Sequence, residues 1–174
     1  WEFSKLINLS TPLHITDFRW HSNKKIIYEM IYNMIHNLDE NGIFCSAYVD
    51  ERLHSYANYG IWAVYQLWQT DGNNEFIREI LPSLKEYIKH ETRVYSRDDH
   101  LQIEEKHNRT GKENQPSYWY FHNYPKNPKD KSTYTPLKRV DRSVYHYKNV
   151  LGLARLCKAV GDIDSAAYEK TAEE

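Results

Sequence analysis

Apolar residues recur every three to four positions in several stretches of this chain, which is the spacing of one face of an α-helix. The pattern predicts four complete helices, at about residues 22–38, 53–70, 74–92 and 141–160, and the opening of a fifth from Ser165. Residues 1–21 keep no such period and contain Ser10-Thr11-Pro12, a turn signal, so we expect loop there. The predicted fold class is all-α.

The connections between these helices differ greatly in length. About three residues, Asp71-Gly72-Asn73, join the second helix to the third, so these two are expected to be antiparallel neighbours. Pro82 is expected to kink or restart the third helix, because proline removes an internal hydrogen bond. Between Val94 and Arg139 the helical period disappears, and a loop this long usually carries function.

The apolar stripe of the fourth helix is expected to face the core. Its members are Val144, Tyr147, Val150, Leu151, Ala154, Leu156 and Cys157. The last ten residues read as the start of a helix too short to present a full apolar face. We therefore expect the chain to be part of a longer domain.

Composition limits the classes of partner. With 40% apolar and 27% charged residues among 174, the chain suits a single globular unit. The net charge is −1 and the basic residues are scattered, which argues against nucleic acid, and no apolar stretch reaches membrane-spanning length. No cofactor motif is present, and His100 and His107 lack helical metal-site spacing, so neither a cofactor nor a metal is expected. Cys45 and Cys157 are expected to be buried thiols.

The aromatic fraction is 14%, mostly tyrosine, and the long loop combines aromatic with ionisable side chains. Tyr and Trp pair an apolar face with a polar edge, which suits carbohydrate binding as well as packing between helices. Glycoside hydrolysis needs two carboxyl groups, one of them protonated. Glu113, close in sequence to Tyr118 and Trp119, is the best candidate acid, because aromatic surroundings raise a carboxyl pKa. A solvated loop charge is the alternative for Glu113.

Several segments resemble one family, the six-hairpin glycosidases, which include trehalases, mannosyl-oligosaccharide glucosidases and mannosylglycerate hydrolases. Residues 59–88, with a Thr-Asp-Gly turn followed by Glu-Phe-Ile and Pro-Ser-Leu-Lys, resemble one helical hairpin of that family. Residues 39–43 and 97–101 resemble two of its turns, although His100 stands where glycine is usual. The resemblance implies an (α/α)6 toroid of twelve helices.

The resemblance also implies site residues. Residues 110–117 are similar to the segment that carries the family's general acid, which places Glu113 at that position, although Glu replaces Asp and the expected arginine is absent. Residues 140–162 resemble a helix whose Asp, here Asp141, lies at the sugar-binding mouth. The substrate-binding set expected on this basis is Asp141, Trp119, Tyr118, Trp62, Trp20, Arg19 and Asn114.

The function implied is an inverting glycoside hydrolase that acts on α-linked glucose- or mannose-type sugars. Residues 1–174 then form one partial catalytic domain that packs against the remainder of the same toroid. The catalytic base would lie outside this chain, so the chain alone is expected to be inactive. Two alternatives stay open: a sugar lyase or epimerase, with His107 or Tyr118 abstracting a proton, and a helical-repeat interaction module whose concave face binds a peptide.

Overall fold

The computed structural model describes residues 9–47, 53–104, 116–124, 126, 132 and 134–174. Within these ranges the chain is mainly helical, which confirms the predicted all-α class. The helices are α1 (Thr11–Phe18), α2 (Lys25–His36), α3 (Gly60–Asp71), α4 (Asn74–Tyr95), α5 (Pro116–Phe121), α6 (Val140–Val160) and α7 (Ser165–Glu173).

Two short antiparallel ribbons join the helices. The strand β1 (Ser46–Ala47) pairs with β2 (Leu53–His54), and β3 (Ile103–Glu104) pairs with β4 (Leu137–Lys138). The second ribbon brings the two ends of the long predicted loop together directly before α6. This loop therefore leaves and re-enters the helical body at one place.

The expectation of loop throughout residues 1–21 is wrong, because α1 lies within this segment. Pro12 stands in its first turn, where a proline costs no helical hydrogen bond. The sequence signal read as a turn was thus a helix start. Ile15 of α1 is completely buried in the core, so tertiary packing stabilises a helix whose own pattern is too short to detect.

The helices α1, α3 and α6 lie side by side and run in the same direction. Thr16 donates a hydrogen bond to Gln66, and three residues later the carbonyl of Arg19 accepts one from Thr70. Further along this layer, Tyr59 contacts Tyr145 and the backbone of Trp62 contacts Gly152. In both pairs of helices, a later residue of one helix contacts a later residue of the other, so the neighbouring helices are parallel.

The helices α2, α4 and α7 form a second parallel layer. Tyr28 of α2 stacks on Phe76 of α4, and one turn later Tyr32 donates a hydrogen bond to Glu79. Lys85 of α4 binds Asp164, the residue before α7, and the C-terminal ends of α4 and α7 line a common cavity.

The two layers run in opposite directions, because α6 meets α4 in antiparallel register. Arg142 contacts Tyr95, and four residues later along α6 His146 contacts Glu91. The described helices, apart from α5, therefore form three consecutive hairpins: α1/α2, α3/α4 and α6/α7. The predicted antiparallel relation of the second and third sequence helices, which are α3 and α4, is confirmed.

A continuous core lies between the two layers. Its completely or almost completely buried members include Ile15, Ile27, Ile31, Met34, Ile61, Val64, Leu67, Ile77, Leu84, Val150, Leu153 and Leu156. The sequence interpretation placed the start of α3 seven residues too early. It begins at Gly60 because the side chain of Asn58 accepts a hydrogen bond from the Gly60 backbone, at 2.9 Å.

The predicted restart at Pro82 does not occur, because α4 is continuous from Asn74 to Tyr95. Buried residues precede and follow the proline, among them Ile77, Leu81 and Leu84, so core packing holds both halves in one helix. Within the described ranges, the structure contains no helix with the length and apolarity needed to cross a bilayer.

The predicted inward stripe of α6 is only partly buried. Val150, Ala154, Leu156 and Cys157 lie in the core as expected, whereas Val144 and Tyr147 are 44% and 49% exposed. With Val140, which is 80% exposed, they form a stripe along the first half of α6, which we call the α6 stripe. The sequence pattern of a buried face is present there, but the described helices do not cover it.

Candidate functional site

A glycine of α6 lies against the backbone of α3. A Cβ atom added at Gly152 would lie 3.1 Å from the Trp62 Cα, so only a hydrogen side chain lets the two backbones approach this far. Asn149, completely buried, accepts a hydrogen bond from the Ile61 backbone at 3.1 Å and donates one to the Asn58 carbonyl at 2.9 Å. These contacts fix α3 against α6 near the N-terminus of α3.

Aromatic rings lie along this junction. The rings of Tyr59 and Tyr145 are 5.4 Å apart and tilted, and the Lys148 ammonium lies 5.7 Å from the Tyr59 ring centroid. Burial, followed by the neighbouring Tyr145 and Asp17, raises the pKa of Tyr59, so its hydroxyl stays protonated and available to donate a hydrogen bond. All three side chains that meet here are half-buried.

The same surface continues along α3. Trp62 lies 5.3 Å from Tyr65, and Gln66 and Gln69 stand on the same side of the helix, where Gln69 donates a hydrogen bond to the Tyr65 hydroxyl. We call Tyr59, Trp62, Tyr65 and Tyr145 the aromatic face. It offers flat apolar rings beside amide, hydroxyl and ammonium groups, a combination that suits a molecule with both C–H faces and hydroxyl edges.

A second cluster fastens the long loop to the start of α6. The Arg139 guanidinium lies 3.5 Å above the Tyr118 ring, and its Nε is 3.7 Å from the Asp141 carboxylate. The Asp141 carboxylate also accepts a hydrogen bond from the Arg142 backbone. The Asp141 side chain is only 7% exposed. Its carboxylate therefore stabilises the junction between the loop and α6 and does not face solvent.

Arg142 continues the cluster one turn into the helix body. Its guanidinium binds Glu104 of β3 at 2.7 Å and lies 3.7 Å above the Tyr95 ring. Both charged side chains are almost completely buried. Burial lowers the pKa of Arg142, but Glu104, Tyr95, Glu91 and Tyr87 together outweigh burial and raise the pKa above its ordinary value. We call Tyr118, Arg139, Asp141, Arg142 and Glu104 the loop anchor.

Behind the anchor lies a relay of buried polar groups. The Glu91 carboxylate accepts a hydrogen bond from the Tyr87 hydroxyl at 2.9 Å, and its other oxygen lies 2.8 Å from His146 Nδ1. Asn58 donates a bond of 3.3 Å to the same Tyr87 hydroxyl. Complete burial raises the pKa of Tyr87 well above its ordinary value, so this hydroxyl is a permanent donor to Glu91.

His122 holds the other end of the loop. It is completely buried, stacks on Tyr134 with ring centroids 4.3 Å apart, and accepts a hydrogen bond from the Thr135 backbone through Nδ1. Burial, together with the nearby charge of Arg139, lowers the pKa of His122. The imidazole is therefore neutral at pH 7, as its acceptor role requires.

A cavity of about 640 Å³ lies elsewhere, between α4, α6 and α7. Its apolar lining includes the α6 stripe and Val150, and its rim carries the ion pair of Lys138 with Asp99. Its apolar lining resembles the groove between α3 and α4, which α6 itself occupies.

The structure brings together part of the predicted substrate-binding set. Tyr118 and Asp141 meet in the loop anchor, and Trp119, half-buried, lies edge-on to Tyr134 beside it. Trp62 belongs to the aromatic face. Glu113 and Asn114, the predicted acid and its neighbour, lie outside the described residues.

Arg19 and Trp20 lie at the opposite end of the layer. The carbonyl of Arg19 meets Thr70 at the C-terminal end of α3, whereas Asp141 opens α6. At about 1.5 Å per residue, these ends are roughly 25–30 Å apart along the helices. Trp20 is 71% exposed, with the Arg19 guanidinium 4.9 Å from its ring. One small site cannot include both groups.

Comparison of the chain with models of known protein families, with curated proteins and with solved structures found no match. The resemblance to six-hairpin glycosidases therefore stays an expectation based on the residues quoted for it. In the described part of the chain, no group of three or more His, Cys, Asp or Glu side chains is placed to hold a metal ion.

The sequence interpretation missed most of the buried polar residues and three of the four residues of the aromatic face. Two signals were present. Glu91 stands on the apolar stripe of α4 between Ile88 and Tyr95, where a carboxylate needs a buried partner. On α6, Tyr145, Asn149 and Gly152 follow the helical period, and a small residue on such a stripe marks a close helix contact.

Proposed function

We propose that this chain contributes part of an α/α-toroid glycoside hydrolase and that the aromatic face binds the carbohydrate. The observation that carries the proposal is the junction of α3 and α6, where Tyr59, Trp62 and Tyr145 gather beside polar side chains. Aromatic rings stack on the C–H faces of sugar rings, and amide and hydroxyl groups bond their hydroxyls.

The arrangement of the hairpins supports the toroid. A toroid of helical hairpins consists of an inner and an outer layer, each with parallel helices, and α1/α3/α6 and α2/α4/α7 have this relation. The aromatic face lies on the layer that would be inner. The long loop joins α6 at its N-terminal end, close to Tyr145, so loop residues would border the same cleft.

The α6 stripe supports the presence of further hairpins. Val140, Val144 and Tyr147 are exposed, although their spacing is that of a buried face. Within the chain, α3 rests on α1 and α6 rests on α3, so the next helix of a toroid would rest on this stripe. We propose that the remainder of the same toroid covers it.

The proposed chemistry is an inverting hydrolysis of α-linked glucose- or mannose-type sugars. Glu113 would protonate the leaving glycosidic oxygen, while a carboxylate from another hairpin would activate water on the opposite side of the sugar ring. Tyr118 and Asp141 would position the loop through Arg139 rather than touch the sugar. Trp119 is a candidate for the border of the cleft.

Two measurements test the proposal. In a protein that carries the complete domain, Glu113→Gln should reduce hydrolysis of a responsive glycoside by at least 100-fold, because general acid catalysis contributes on the order of 10²–10⁴-fold. Unchanged hydrolysis would remove Glu113 from the mechanism. An inverted anomeric configuration of the first product, read by proton NMR, is expected, and a retained configuration would contradict the inverting assignment.

A helical-repeat interaction module is the second candidate, and the exposed α6 stripe favours it. This module would bind an amphipathic peptide and no sugar. Fluorescence anisotropy of labelled amphipathic peptides, measured beside oligosaccharide binding, separates the two. Peptide binding that Val144→Asp abolishes, without any response to sugar, would replace the hydrolase proposal.

A further inference from the structure

The short helix α5 ends in a cluster of exposed aromatic rings. Tyr120, Phe121 and Tyr124 are 67%, 57% and 58% exposed. The Tyr120 ring lies 5.3 Å from Phe121 and 6.5 Å from Tyr124, each nearly perpendicular to its neighbour. We call these three residues the α5 cluster. It is separate from the aromatic face, which consists of Tyr59, two residues of α3 and one residue of α6.

The backbone that supports this cluster is strained. Asn123 and Tyr124 have φ values of 59° and 42°, in the left-handed region that a bulky side chain rarely adopts. The Tyr124 backbone donates a hydrogen bond to the Trp119 carbonyl at 2.9 Å, and its hydroxyl donates to the Pro116 carbonyl at 3.3 Å. Glycine would adopt this turn without strain, so the backbone conformation does not favour a tyrosine at position 124.

The chemistry of the cluster differs from that of the α6 stripe. The stripe contains the aliphatic residues Val140 and Val144, which suit the aliphatic face of another helix. The α5 cluster contains aromatic rings alone, with the polar Asn123 exposed beside them. A pyranose ring, with C–H groups on its faces and hydroxyls at its edge, matches flat rings with a polar rim.

Position favours the same ligand class. Tyr118 of α5 lies under Arg139 at the start of α6, so the loop anchor holds α5 at the end of the helical layer that also contains Tyr59 and Tyr145. A chain of sugars that leaves the aromatic face at this end would pass the loop that carries α5.

We propose that the α5 cluster is a second carbohydrate-binding surface, on which a sugar ring of an oligosaccharide stacks against Tyr120 and Tyr124. The inference rests on the carbohydrate specificity of the proposed function but not on hydrolysis. Because the two surfaces are separate, a long oligosaccharide engages both, and a disaccharide engages the aromatic face alone.

The test is calorimetric titration of the protein with maltohexaose and with an α-linked mannohexaose, using five variants, one of which is Trp62→Ala. Tyr124→Gly removes one ring and its hydrogen bond to the Pro116 carbonyl but relieves the backbone strain, so the variant is expected to fold. It should bind the responsive hexasaccharide at least fivefold more weakly. Tyr120→Ala should lose a similar factor. Asn123→Gly relieves strain but keeps the rings, and Tyr147→Ala removes an exposed tyrosine of the α6 stripe; both should bind as the original chain does.

The outcomes separate this inference from the proposed function. Weaker binding in Tyr124→Gly and Tyr120→Ala, but not in the two controls, supports the cluster. Full binding in both ring variants, with loss in Trp62→Ala, overturns the cluster and leaves the aromatic face in place. Loss in the ring variants but not in Trp62→Ala overturns the aromatic face instead. Failure of both sugars to bind, or self-association of the original chain that Tyr120→Ala abolishes, overturns the cluster as a carbohydrate surface.

Discussion

The two halves of α6 contact the same neighbouring helices with opposite chemistry. In the first half, Arg142, His146 and Asn149 are buried polar residues that bind β3, α4 and α3. In the second half, Leu153, Leu156 and Cys157 are buried apolar residues. Apolar packing is tolerant of direction, whereas hydrogen bonds require one geometry. The first half therefore fixes the shape of the candidate site, and the second half supplies stability.

The largest expected effect comes from the polar half. Arg142→Met takes the guanidinium away from the buried Glu104 carboxylate, and breaking a buried ion pair on one side costs about 3–5 kcal/mol. The free energy of unfolding, measured by urea denaturation, should fall by this amount.

The double variant Arg142→Met, Glu104→Leu is the control for this prediction, because it removes both charges and keeps the volume apolar. It should recover most of the loss. If the double variant is as unstable as the single one, the cost arises from lost packing on Tyr95, and the polar half is no different from the apolar half.

Substitutions in the apolar half should lower the free energy of unfolding by a smaller amount and leave sugar binding unchanged. Leu153 is completely buried, so Leu153→Ala leaves a cavity and should cost about 3 kcal/mol. At temperatures where the variant is folded, its affinity for a sugar that binds the aromatic face should be unchanged. A specific loss of sugar affinity in Leu153→Ala, with folding intact, would remove the proposed division of labour.

A pH-dependent effect is expected at the loop. Because burial lowers the pKa of His122 below the ordinary value of 6.5, the unfolded chain binds this proton more readily than the folded one. The contribution of neutral His122 to stability is complete above pH 6.5. It is lost as the pH falls through the lowered pKa of His122, because a protonated Nδ1 no longer accepts the hydrogen bond from the Thr135 backbone.

Hydrogen exchange of the Thr135 amide, measured between pH 7 and pH 5 and corrected for intrinsic exchange, checks this prediction. Protection should fall at the acid end. In His122→Phe the amide should be weakly protected at both ends of the range. Constant protection in the original chain would show that His122 does not control the loop.

The smallest effect is expected at Lys85, on the surface near the C-terminal end of α6. Its ammonium binds Asp162 at 2.7 Å and Asp164 at 2.8 Å, which lowers the pKa of Asp162. Both partners are partly exposed, so Lys85→Met should cost only about 0.5–1 kcal/mol at pH 7.

This contribution has a defined pH window. It is present above the ordinary Asp pKa of 3.8 and is lost as the pH falls through the lowered value, because the unfolded Asp162 takes up its proton first. The stability difference between Lys85→Met and the original chain should therefore shrink below pH 4. A difference that stays constant down to pH 2 would assign the effect to packing of the Lys85 stem.

Periodicity predicted the helices because it records which residues pack inward. The stripe of α4 and the glycine after α6 placed α4 and α6 almost to the residue, with Gly161 in the left-handed conformation at the helix end. Local pattern could not find α1, which is stabilised by the burial of Ile15 against distant helices. Nor could the local pattern locate the start of α3 at Gly60, since that start depends on the hydrogen bond to the Asn58 side chain.

The candidate site was harder to predict, because pairs across helices decide it. Trp62 was proposed from sequence and lies on the aromatic face, but Tyr145, which contacts Tyr59 on the same face, is more than eighty residues away along the chain. Asp141 was expected at the sugar-binding mouth, and nothing in the sequence indicated that its carboxylate would pair with Arg139. Gly152 and Asn149 set the register between α3 and α6. No local sequence pattern predicts that register, so the sequence could not show which side chains of the two helices meet.

The central claim is that carbohydrate binds the aromatic face, and the indole N–H signals of the five tryptophans test it directly. In a 1H–15N NMR titration with maltotetraose or an α-linked mannotetraose, the Trp62 signal should shift in a saturable manner. The signals of Trp20, at the far end of the layer, and Trp68, whose Nε1 binds Asn74, should stay in place. Shifts at Trp20 without any at Trp62, or no shift with either sugar, would contradict the claim.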